Sequence, residues 1–497
     1  MDGIQVNTSA LIIVVVYLVA MLVVGYFVGK LKIKNSKDYM VAGRRMGLFM
    51  VAFSLSANNI GGGSTTGLAQ KAFGSWGLSA IWYVLAASIA MIPLAFLAPK
   101  IRKTMALTIP EVVGRRFGKV SAGFTAVLNI LALFCLTASQ IGAAGIVVNS
   151  LTGIPQNVCL LIAGIVVIAY TTLGGMIADQ ITDLVQFVII LIGLFITFLS
   201  VMKGVGGWQA MANKLPPVQM SFTKIGWVSI IGYIFNYFCT FLSGPEMVSR
   251  FESAKDEKTA KYASLLSGVL MAAMAFFPTA LGLAALAFKD SIPNIAANGS
   301  NSLMAVTGAY APTFITGLVS AAIISATMSS ADSNLLCMST MIMNDLFIPY
   351  SGKQFTEKQM VLATRLCNVI CCCVAMLVSF LKISLVTMNT FAFAIRCAGP
   401  FAAYGLGLII KNCSKNSGII SIITGTIGVV VWQILSKGGF YFGILPVVFG
   451  CAISVITFFI VNAIEINVMH KPSAPSPYLS DDEVAALIKH EEETHNV

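Results

Sequence analysis

The chain has 497 residues, of which 57% are hydrophobic and only 10% charged, and its formal net charge is +11. A soluble domain carries about a quarter charged residues, so this chain cannot cover an ordinary water-facing surface. The composition excludes a soluble enzyme, a nucleic-acid-binding protein and a disordered scaffold, and it predicts an all-α polytopic membrane protein.

Apolar windows of about 20 residues mark the helices that can cross a membrane. In the first window the cations follow the apolar run and no small-residue cleavage site is present, which indicates a retained helix and not a signal peptide. We predict about thirteen transmembrane helices, near 9–29, 45–71, 76–99, 120–149, 155–175, 180–203, 225–249, 260–288, 304–346, 360–381, 384–410, 417–436 and 442–465.

These windows divide the chain into five segments. We expect an N-terminal helix with the first cytoplasmic loop, a five-helix block, a second five-helix block, two accessory helices and a cytoplasmic tail, at 1–44, 45–203, 225–411, 412–465 and 466–497.

The basic residues predict the orientation in the membrane. With the N-terminus outside, 23 of the 31 Lys and Arg residues fall in inside loops or the tail, seven fall outside, and Arg396 lies within a span. Because cytoplasmic loops are enriched in Lys and Arg, we expect the N-terminus outside and the C-terminus in the cytoplasm, in the plasma (inner) membrane. The positive charge therefore reflects topology, and no nucleic-acid partner is expected.

Cysteine and histidine positions limit the chemistry further. The eleven cysteines lie in or beside apolar runs, including Cys367-x-x-x-Cys371-Cys372-Cys373, and we interpret them as small hydrophobic residues and not as a metal or redox site. The three histidines all fall in the tail. A histidine proton relay, a catalytic triad or a histidine metal site inside the membrane is therefore excluded.

Two of the predicted spans are interrupted. The second carries Ala57-Asn58-Asn59-Ile60-Gly61-Gly62-Gly63, and the seventh carries Ser243-Gly244-Pro245-Glu246. Glycine runs and an internal proline break helices, and unwound backbone at membrane depth lines a cavity or is buried. Broken helices at corresponding places in two blocks favour an inverted-repeat secondary transporter, the alternative being two kinked packing helices.

The ninth span carries a hydroxyl-rich stripe. Positions 326, 329, 330 and 333 of Ser320–Ser333 share one helix face. Such a stripe can simply allow close helix packing, but Asp332 beside it would then be costly. Hydroxyl and carboxylate groups facing the carbonyls freed near Ala57 are hard oxygen ligands, so the pattern favours a Na⁺ site. The other ionisable groups at membrane depth are Asp179, Asp183, Glu246 and Arg396.

Taken together, these motifs resemble the sodium/solute symporter family. The resemblance rests on Ala42-Gly43-Arg44, Leu173-Gly174-Gly175, Thr182-Asp183-x-Val185-Gln186, Gly244-Pro245 with Arg250-Phe251, and Met328–Ser333, the last most similar to the choline-transporter branch. It implies a LeuT-like fold, a 5+5 inverted repeat with one extra helix before it and two after it.

The resemblance also implies two ion sites. A common sodium site falls on the carbonyls of Ala57, Ile60 and Ala326 and the hydroxyls of Ser329 and Ser330. A second sodium site, present in some members, falls on Asp183, Ser329, Asp332 and Ser333. The sequence departs from the family at Asp332, where many relatives have Ser or Thr, and at Asn59, where the proline branch has Asp and the choline branch Trp.

Two acidic residues have a simpler explanation to consider. A carboxylate near the start of the sixth span is favoured by the helix dipole and the free backbone N–H groups there. We expect Asp179 to serve as such a cap, whereas the family motif favours an ion-binding role for Asp183.

The substrate is less visible in the sequence. The expected cavity residues are Asn58, Asn59, Gln140, Tyr237, Phe241, Gly244 and Arg396. A choline transporter needs an aromatic cage, and Asn59 and Gly244 stand where that branch has Trp, so choline is disfavoured. Arg396 either pairs with a protein acid such as Glu246 or receives an anionic substrate group.

We therefore expect a transporter that couples entry of a small organic solute, preferably an amino acid or another carboxylate, to Na⁺. The open alternatives are a proton-coupled permease of the same fold and a sodium-coupled carrier of a neutral solute such as a sugar. The expected partners are the solute, Na⁺ and the lipid bilayer, with no cofactor beyond the coupling ion and a chain functional as a monomer. A membrane enzyme is not expected.

Overall fold

The computed structural model describes residues 8–32, 36–352, 355–381, 383, 385–436, 444–480 and 482–484. Its α-helices, in chain order, are α1 (Thr8–Lys32), α2 (Ser36–Val41), α3 (Leu48–Asn59), α4 (Leu68–Phe73), α5 (Trp82–Lys103), α6 (Ile109–Phe117), α7 (Lys119–Thr152), α8 (Gln156–Val205), α9 (Trp208–Lys214), α10 (Trp227–Leu242), α11 (Pro245–Ser253), α12 (Glu257–Ala287), α13 (Ser302–Tyr310), α14 (Thr313–Met341), α15 (Ile348–Ser351), α16 (Glu357–Ser379), α17 (Leu385–Ala398), α18 (Gly407–Ile409), α19 (Lys415–Ser436) and α20 (Pro446–Ala463). Short 3₁₀ turns lie at Ala42–Arg44, Gly77–Ile81, Pro217–Met220 and Lys289–Ser291, and π turns at Gly63–Gly67, Ile342–Phe347, Ala402–Leu406 and Ile464–Val468.

Nine helices in the described part of the chain are long and apolar enough to cross a membrane. Two bent pairs raise this to eleven: α10 with α11, at 58°, and α17 with α18, at 46°. The two other predicted windows, 45–71 and 155–175, correspond to the short helices α3 and α4 and to the apolar first part of α8. The all-helical membrane fold is thus confirmed, while the number thirteen and the five-segment division stay predictions.

Several helices begin at residues that satisfy their free backbone N–H groups. Thr108 accepts a hydrogen bond from the Glu111 N–H at the start of α6, and Asp256 does so from the Thr259 N–H at the start of α12. Because the exposed Asp256 carboxylate is stabilised by this hydrogen bond, its pKa is lowered. These side chains place the helix ends at the loops that the charge distribution predicts to be cytoplasmic.

The first helix break forms where the sequence places its glycines. α3 ends at Asn59, Ile60 leaves the helical conformation, and the chain re-enters a helix through the wide turn Gly63–Gly67. A Cβ added at Gly62 would lie 2.2 Å from the Ala143 Cβ, so glycine is required there for close approach to α7.

The second break separates α10 from α11 at Ser243 and Gly244, and Pro245 is the first residue of α11. Proline fits this position because a first-turn residue needs no N–H donor.

α8 is also bent, at Gly175, whose φ of +58° is in the left-handed region.

The innermost helix is α14, in which every residue from Val319 to Met341 is buried. Because neighbouring helices surround α14 on all sides, the helix has no polar face towards water, and its hydroxyl stripe is buried against other helices. The α3 and α11 helices are joined at one end by an isolated β-bridge between Met46 and Ala254. Its hydrogen bonds run from the Met46 N–H to the Ser253 oxygen and from the Lys255 N–H to the Met46 oxygen, at 3.0 Å each.

The contact between α12 and α4 depends on Gly282. A Cβ added there would lie 2.3 Å from the Ala69 carbonyl oxygen, so Gly282→Ala must force these helices apart. We expect a loss of stability of about 2 kcal/mol, measured as a lower thermal unfolding temperature of purified protein.

Gly308→Ala is the matched control, because nothing lies within 4 Å of an added Cβ at this helical position. It should leave the unfolding temperature unchanged or raise it slightly. Equal behaviour of the two variants would contradict the predicted close contact.

Candidate functional site

The end of α3 meets the middle of α14. The Ser330 hydroxyl donates to the Asn58 carbonyl oxygen at 2.8 Å and also lies 3.1 Å from the Ala326 carbonyl oxygen. On the other side of the break, the Gly62 N–H donates to Gln140 Oε1 at 2.8 Å. Side chains of α14 and α7 therefore satisfy backbone groups that the broken helix leaves free.

The residues of the first predicted sodium site are all buried but are not all in contact with one another. Ala326 and Ser330 lie at the break, and Ala57 and Ile60 flank the carbonyl that Ser330 contacts. Ser329 instead donates to Asp183 Oδ1 on α8. The structure thus brings Ser330 and Ala326 together with the break, and it joins Ser329 to the residues of the second set.

A fully buried arginine occupies the centre of the second set. Arg250, on α11, lies 2.5 Å from Asp179 Oδ2 and 3.4 Å from Asp183 Oδ2, and it also contacts the Ser333 hydroxyl. Its Nε donates to Ser54 Oγ on α3 at 3.1 Å. Sequence reasoning used Arg250 as part of a family motif and counted it among the cations of the inside loops, whereas the structure buries it among the acids of α8.

The second predicted sodium set is assembled only in part. Asp183 contacts Ser329 and accepts from Ser54 at 2.5 Å, but the Ser333 hydroxyl faces the Asp179 oxygens, at 3.2 and 3.3 Å. The carboxyl group of Asp332 lies beside that of Asp179, and its buried Oδ1 has no hydrogen-bond partner.

The capping role expected for Asp179 is wrong. Its carboxylate contacts Arg250 and Ser333, both on other helices, because the bend at Gly175 turns this part of α8 towards α11 and α14. A cation thus satisfies this buried carboxylate more strongly than free N–H groups of its own helix would.

A cavity of about 580 Å³ lies next to the first break. Six of the seven expected substrate residues line it, namely Asn58, Asn59, Gln140, Tyr237, Phe241 and Arg396. Gly244 lies just behind, since a Cβ added there would be 3.2 Å from Arg396 Nη2 and 3.1 Å from Glu246 Oε1. The structure therefore gathers these residues around one space.

Arg396 pairs with Glu246 in the wall of this cavity. Arg396 Nη1 lies 2.6 Å from Glu246 Oε1 and 2.7 Å from Oε2, while its buried Nε has no hydrogen-bond partner. The guanidinium lies 5.1 Å from the centre of the Phe393 ring, which supports it from α17. Of the two roles considered from the sequence, pairing with a protein acid is the one this conformation adopts.

Some of the expected substrate groups already have protein partners. Gln140 Oε1 accepts the Gly62 N–H, and Asn59 Nδ2 donates to the Leu55 carbonyl oxygen at 2.9 Å. Sequence reasoning missed four polar lining residues, Ser64, Tyr83, Asn334 and Asn389. Because the Ser64 hydroxyl donates to the Asn59 carbonyl oxygen, the polar surface left for a ligand depends more on the other three.

Of the missed residues, Asn334 was detectable because it lies one helical turn beyond Ser330 on the same stripe of α14. Asn389 was a polar residue within an apolar span, which is also a signal. Tyr83 had none, since an aromatic residue at the start of an apolar helix is ordinary.

Cysteines meet at two places, because the Cys367 and Cys371 sulfurs of the clustered run are 3.9 Å apart and a second group brings together three separate helices. Cys239, Cys397 and Cys451 have sulfur atoms within 4.8 Å of one another, and all three are buried on α10, α17 and α20. The Cys397 and Cys451 sulfurs are 3.4 Å apart. Because Cys397 follows Arg396 directly, these small side chains pack behind the wall of the cavity.

The Arg250 ion pairs should be indispensable for folding. Arg250→Met leaves two buried carboxylates without their cation, and we expect it to lower stability by about 3–5 kcal/mol, seen as a large fall in unfolding temperature. Lys255→Met is the control, since this lysine is exposed and its replacement should change stability by less than about 0.5 kcal/mol.

A double-mutant cycle with Asp179→Asn separates pairing from packing. If Arg250 acts through this ion pair, the combined variant should lose less stability than the two single changes added together. Additive losses would show that the pair with Asp179 contributes no coupling energy and that Arg250 acts through its other contacts.

The model of the sodium:solute symporter family matches residues 39–425. A sodium/proline symporter of Staphylococcus aureus (strain bovine RF122 / ET3-1) is 25% identical over 485 residues, which cover 92% of this chain and 93% of the relative. The osmoregulated proline transporter OpuE of Bacillus subtilis (strain 168) is 27% identical over 468 residues, or 90% and 93%.

Two solved structures share the fold. A substrate-bound, outward-open Na⁺-coupled sialic acid symporter has a TM-score of 0.80 at 20% identity, covering 96% of this chain and 100% of that one. A nucleobase-cation-symport-1 family transporter has a TM-score of 0.59 at 15% identity, covering 92% and 98%. The chain therefore belongs to the sodium:solute symporter family, and it is a polytopic membrane transporter and not an enzyme.

Proposed function

We propose that the protein is a sodium-coupled symporter that imports a small amino acid across the plasma membrane, with proline as the first candidate. The single observation that carries the substrate class is the Arg396–Glu246 pair in the cavity wall. The proline assignment comes from the S. aureus and B. subtilis relatives, which are proline transporters.

A buried ion pair in a cavity wall is complementary to a zwitterion. A guanidinium binds a carboxylate, and a carboxylate binds an ammonium group, so an amino acid offers both partners at once. The neighbouring Tyr237 and Phe241 rings, 5.4 Å apart, provide an apolar surface for a small aliphatic side chain. An uncharged sugar would leave both charges without new partners, which is why an amino acid is preferred over a neutral solute.

Sodium is the proposed coupling ion because hard oxygen atoms converge beside the cavity. The carbonyl oxygens near the end of α3 face the hydroxyl of Ser330, and Ser329 meets Asp183 close by. Three acids, Asp179, Asp183 and Asp332, surround the one guanidinium of Arg250, so the region carries excess negative charge when they are ionised. The proposal includes no cofactor beyond Na⁺ and a chain that works as a monomer.

The proposed cycle begins with Na⁺ entering from outside, where we place the N-terminus. By linking α3 to α14, the ion favours the conformation that binds substrate. Substrate then binds between the breaks, the core reorients, and Na⁺ leaves into the low-sodium cytoplasm, followed by substrate. Each positive charge moved inward gains about 2.3 kcal/mol per 100 mV of membrane potential.

A proton-coupled permease is the second candidate, favoured by one observation. The buried Asp332 Oδ1 has no hydrogen-bond partner and lies next to another acid, an arrangement suited to carrying a proton. Proton coupling predicts uptake that needs no Na⁺ and responds to a pH gradient.

Thermal stabilisation of the purified protein tests the substrate class. Proline and a panel of amino acids, carboxylates and sugars are added with sodium chloride or with potassium chloride in its place. A ligand that binds the folded state raises the unfolding temperature. A rise with an amino acid that needs Na⁺ supports the proposal, whereas a response only to sugars, or one independent of Na⁺, contradicts it.

The sodium requirement should depend on Ser329. Ser329→Ala removes the hydroxyl beside Asp183, and we expect the Na⁺ concentration for half-maximal uptake in proteoliposomes to rise about tenfold, which corresponds to about 1.4 kcal/mol. Asp183→Ala should act in the same direction. Ser325→Ala is the control on the same helix, because its hydroxyl accepts from Tyr17 at 2.8 Å and not from the acid cluster. Unchanged sodium dependence in Ser329→Ala would refute the assignment.

Substrate binding should depend on both members of the cavity ion pair. Arg396→Gln and Glu246→Gln should each abolish the substrate-induced rise in unfolding temperature, because each removes one charge that receives the zwitterion. Each also leaves a buried unpaired charge and should lower basal stability.

The double variant Arg396→Gln/Glu246→Gln distinguishes the two effects. With no unpaired charge left, basal stability should recover while substrate binding stays lost. Substrate binding by the double variant would show that the pair is structural and that recognition lies elsewhere.

A further inference from the structure

A second cavity, of about 970 Å³, lies away from any residue used above. It is enclosed by the end of α5, the end of α6, α18 with the two residues that follow it, and the tail residues 476–478. We name it the tail cavity. It belongs to the face of the protein that the charge distribution predicts to be cytoplasmic.

The polar lining of the tail cavity is strongly basic. Lys100, Lys103, Arg116 and Lys411 line it, and none of its described lining residues is acidic. Arg116 is 3% exposed and already binds backbone carbonyls, those of Ile410 and, at 3.0 Å, Lys411. The three lysines are therefore the cations that can meet a ligand.

Apart from Ser476 and the Tyr478 hydroxyl, the remaining lining is apolar, and the tail forms part of it. Leu408, Ile409, Ile410 and Pro477 contribute it, and Ile409 is 47% exposed. The Tyr478 hydroxyl donates to the Leu408 carbonyl oxygen at 2.8 Å. The tail thus forms one wall of a space that has cations and hydrocarbon side by side.

We infer that the tail cavity binds the headgroup of an anionic phospholipid, with its acyl chains along Ile409 and the neighbouring apolar residues. Basic pockets between helices at the cytoplasmic surface attract anionic headgroups, and that membrane surface carries negative lipids. The mixed lining favours a lipid over a free anion, because inorganic phosphate uses only the lysines.

Lipid titration of the purified full-length protein tests this inference independently of transport. Phosphatidylglycerol or phosphatidylcholine with identical acyl chains is added to protein in neutral detergent, and the unfolding temperature is measured. We expect phosphatidylglycerol to raise it more than phosphatidylcholine does, by on the order of 2 °C. Inorganic phosphate is the third arm, and an equal rise with phosphate would overturn the lipid assignment in favour of a small-anion site.

Lysine substitutions test whether the difference between the two lipids arises in the tail cavity. Lys100→Gln/Lys103→Gln should lose most of the difference between the two lipids, and Lys100→Arg/Lys103→Arg should keep it. Lys255→Gln/Lys258→Gln is the matched control, since both lysines are exposed and neither lines the tail cavity. Equal lipid discrimination in the cavity variant and the control, or its loss in both, would show that the lipid responds to general charge and would overturn the proposal.

Discussion

A guanidinium group buried at membrane depth has to be neutralised by groups that the fold brings to it. Arg250 is 0% exposed, and its partners come from three other helices: Ser54 on α3, Asp179 and Asp183 on α8, and Ser333 on α14. Because α11 carries the arginine, this one side chain fixes the relative positions of four helices. The residues proposed to bind sodium are direct neighbours of that junction, so their geometry depends on it.

The same requirement explains how the breaks are tolerated. Carbonyl and N–H groups released by an interrupted helix must find partners where there is no water. At the first break, Ser330 and Gln140 provide them, and the Ser64 hydroxyl donates to the Asn59 carbonyl oxygen at 2.9 Å. Polar residues that looked available for a ligand in the sequence thus partly serve the backbone, which leaves the cavity with fewer free groups than their number suggests.

Sequence patterns predicted the local features well. Glycine at 61–63 and proline at 245 stand where the two breaks form, because the local backbone preferences of these residues decide the outcome. Six of seven expected cavity residues also line one space, and four of them, Asn58, Asn59, Tyr237 and Phe241, lie close to the breaks in the sequence.

Partners across helices were not predictable in the same way. The bend at Gly175 and the packing of α8 against α11 decide which acid meets Arg250. They also turn Asp179 away from the end of its own helix. The meeting of three cysteines from separate helices likewise has no local signature. Long-range pairing is set by tertiary packing, on which one sequence carries little information.

The bridge between Met46 and Ala254 has a mechanical consequence. Two backbone hydrogen bonds of 3.0 Å join the chain just before α3 to the end of α11, and Arg102 Nε on α5 donates to the Ala254 oxygen at 2.5 Å, which ties the same end of α11 to α5. Separating the segment before α3 from the end of α11 would break both backbone hydrogen bonds at once. We therefore expect the start of α3 and the end of α11 to move together in any conformational change that alters access to the cavity.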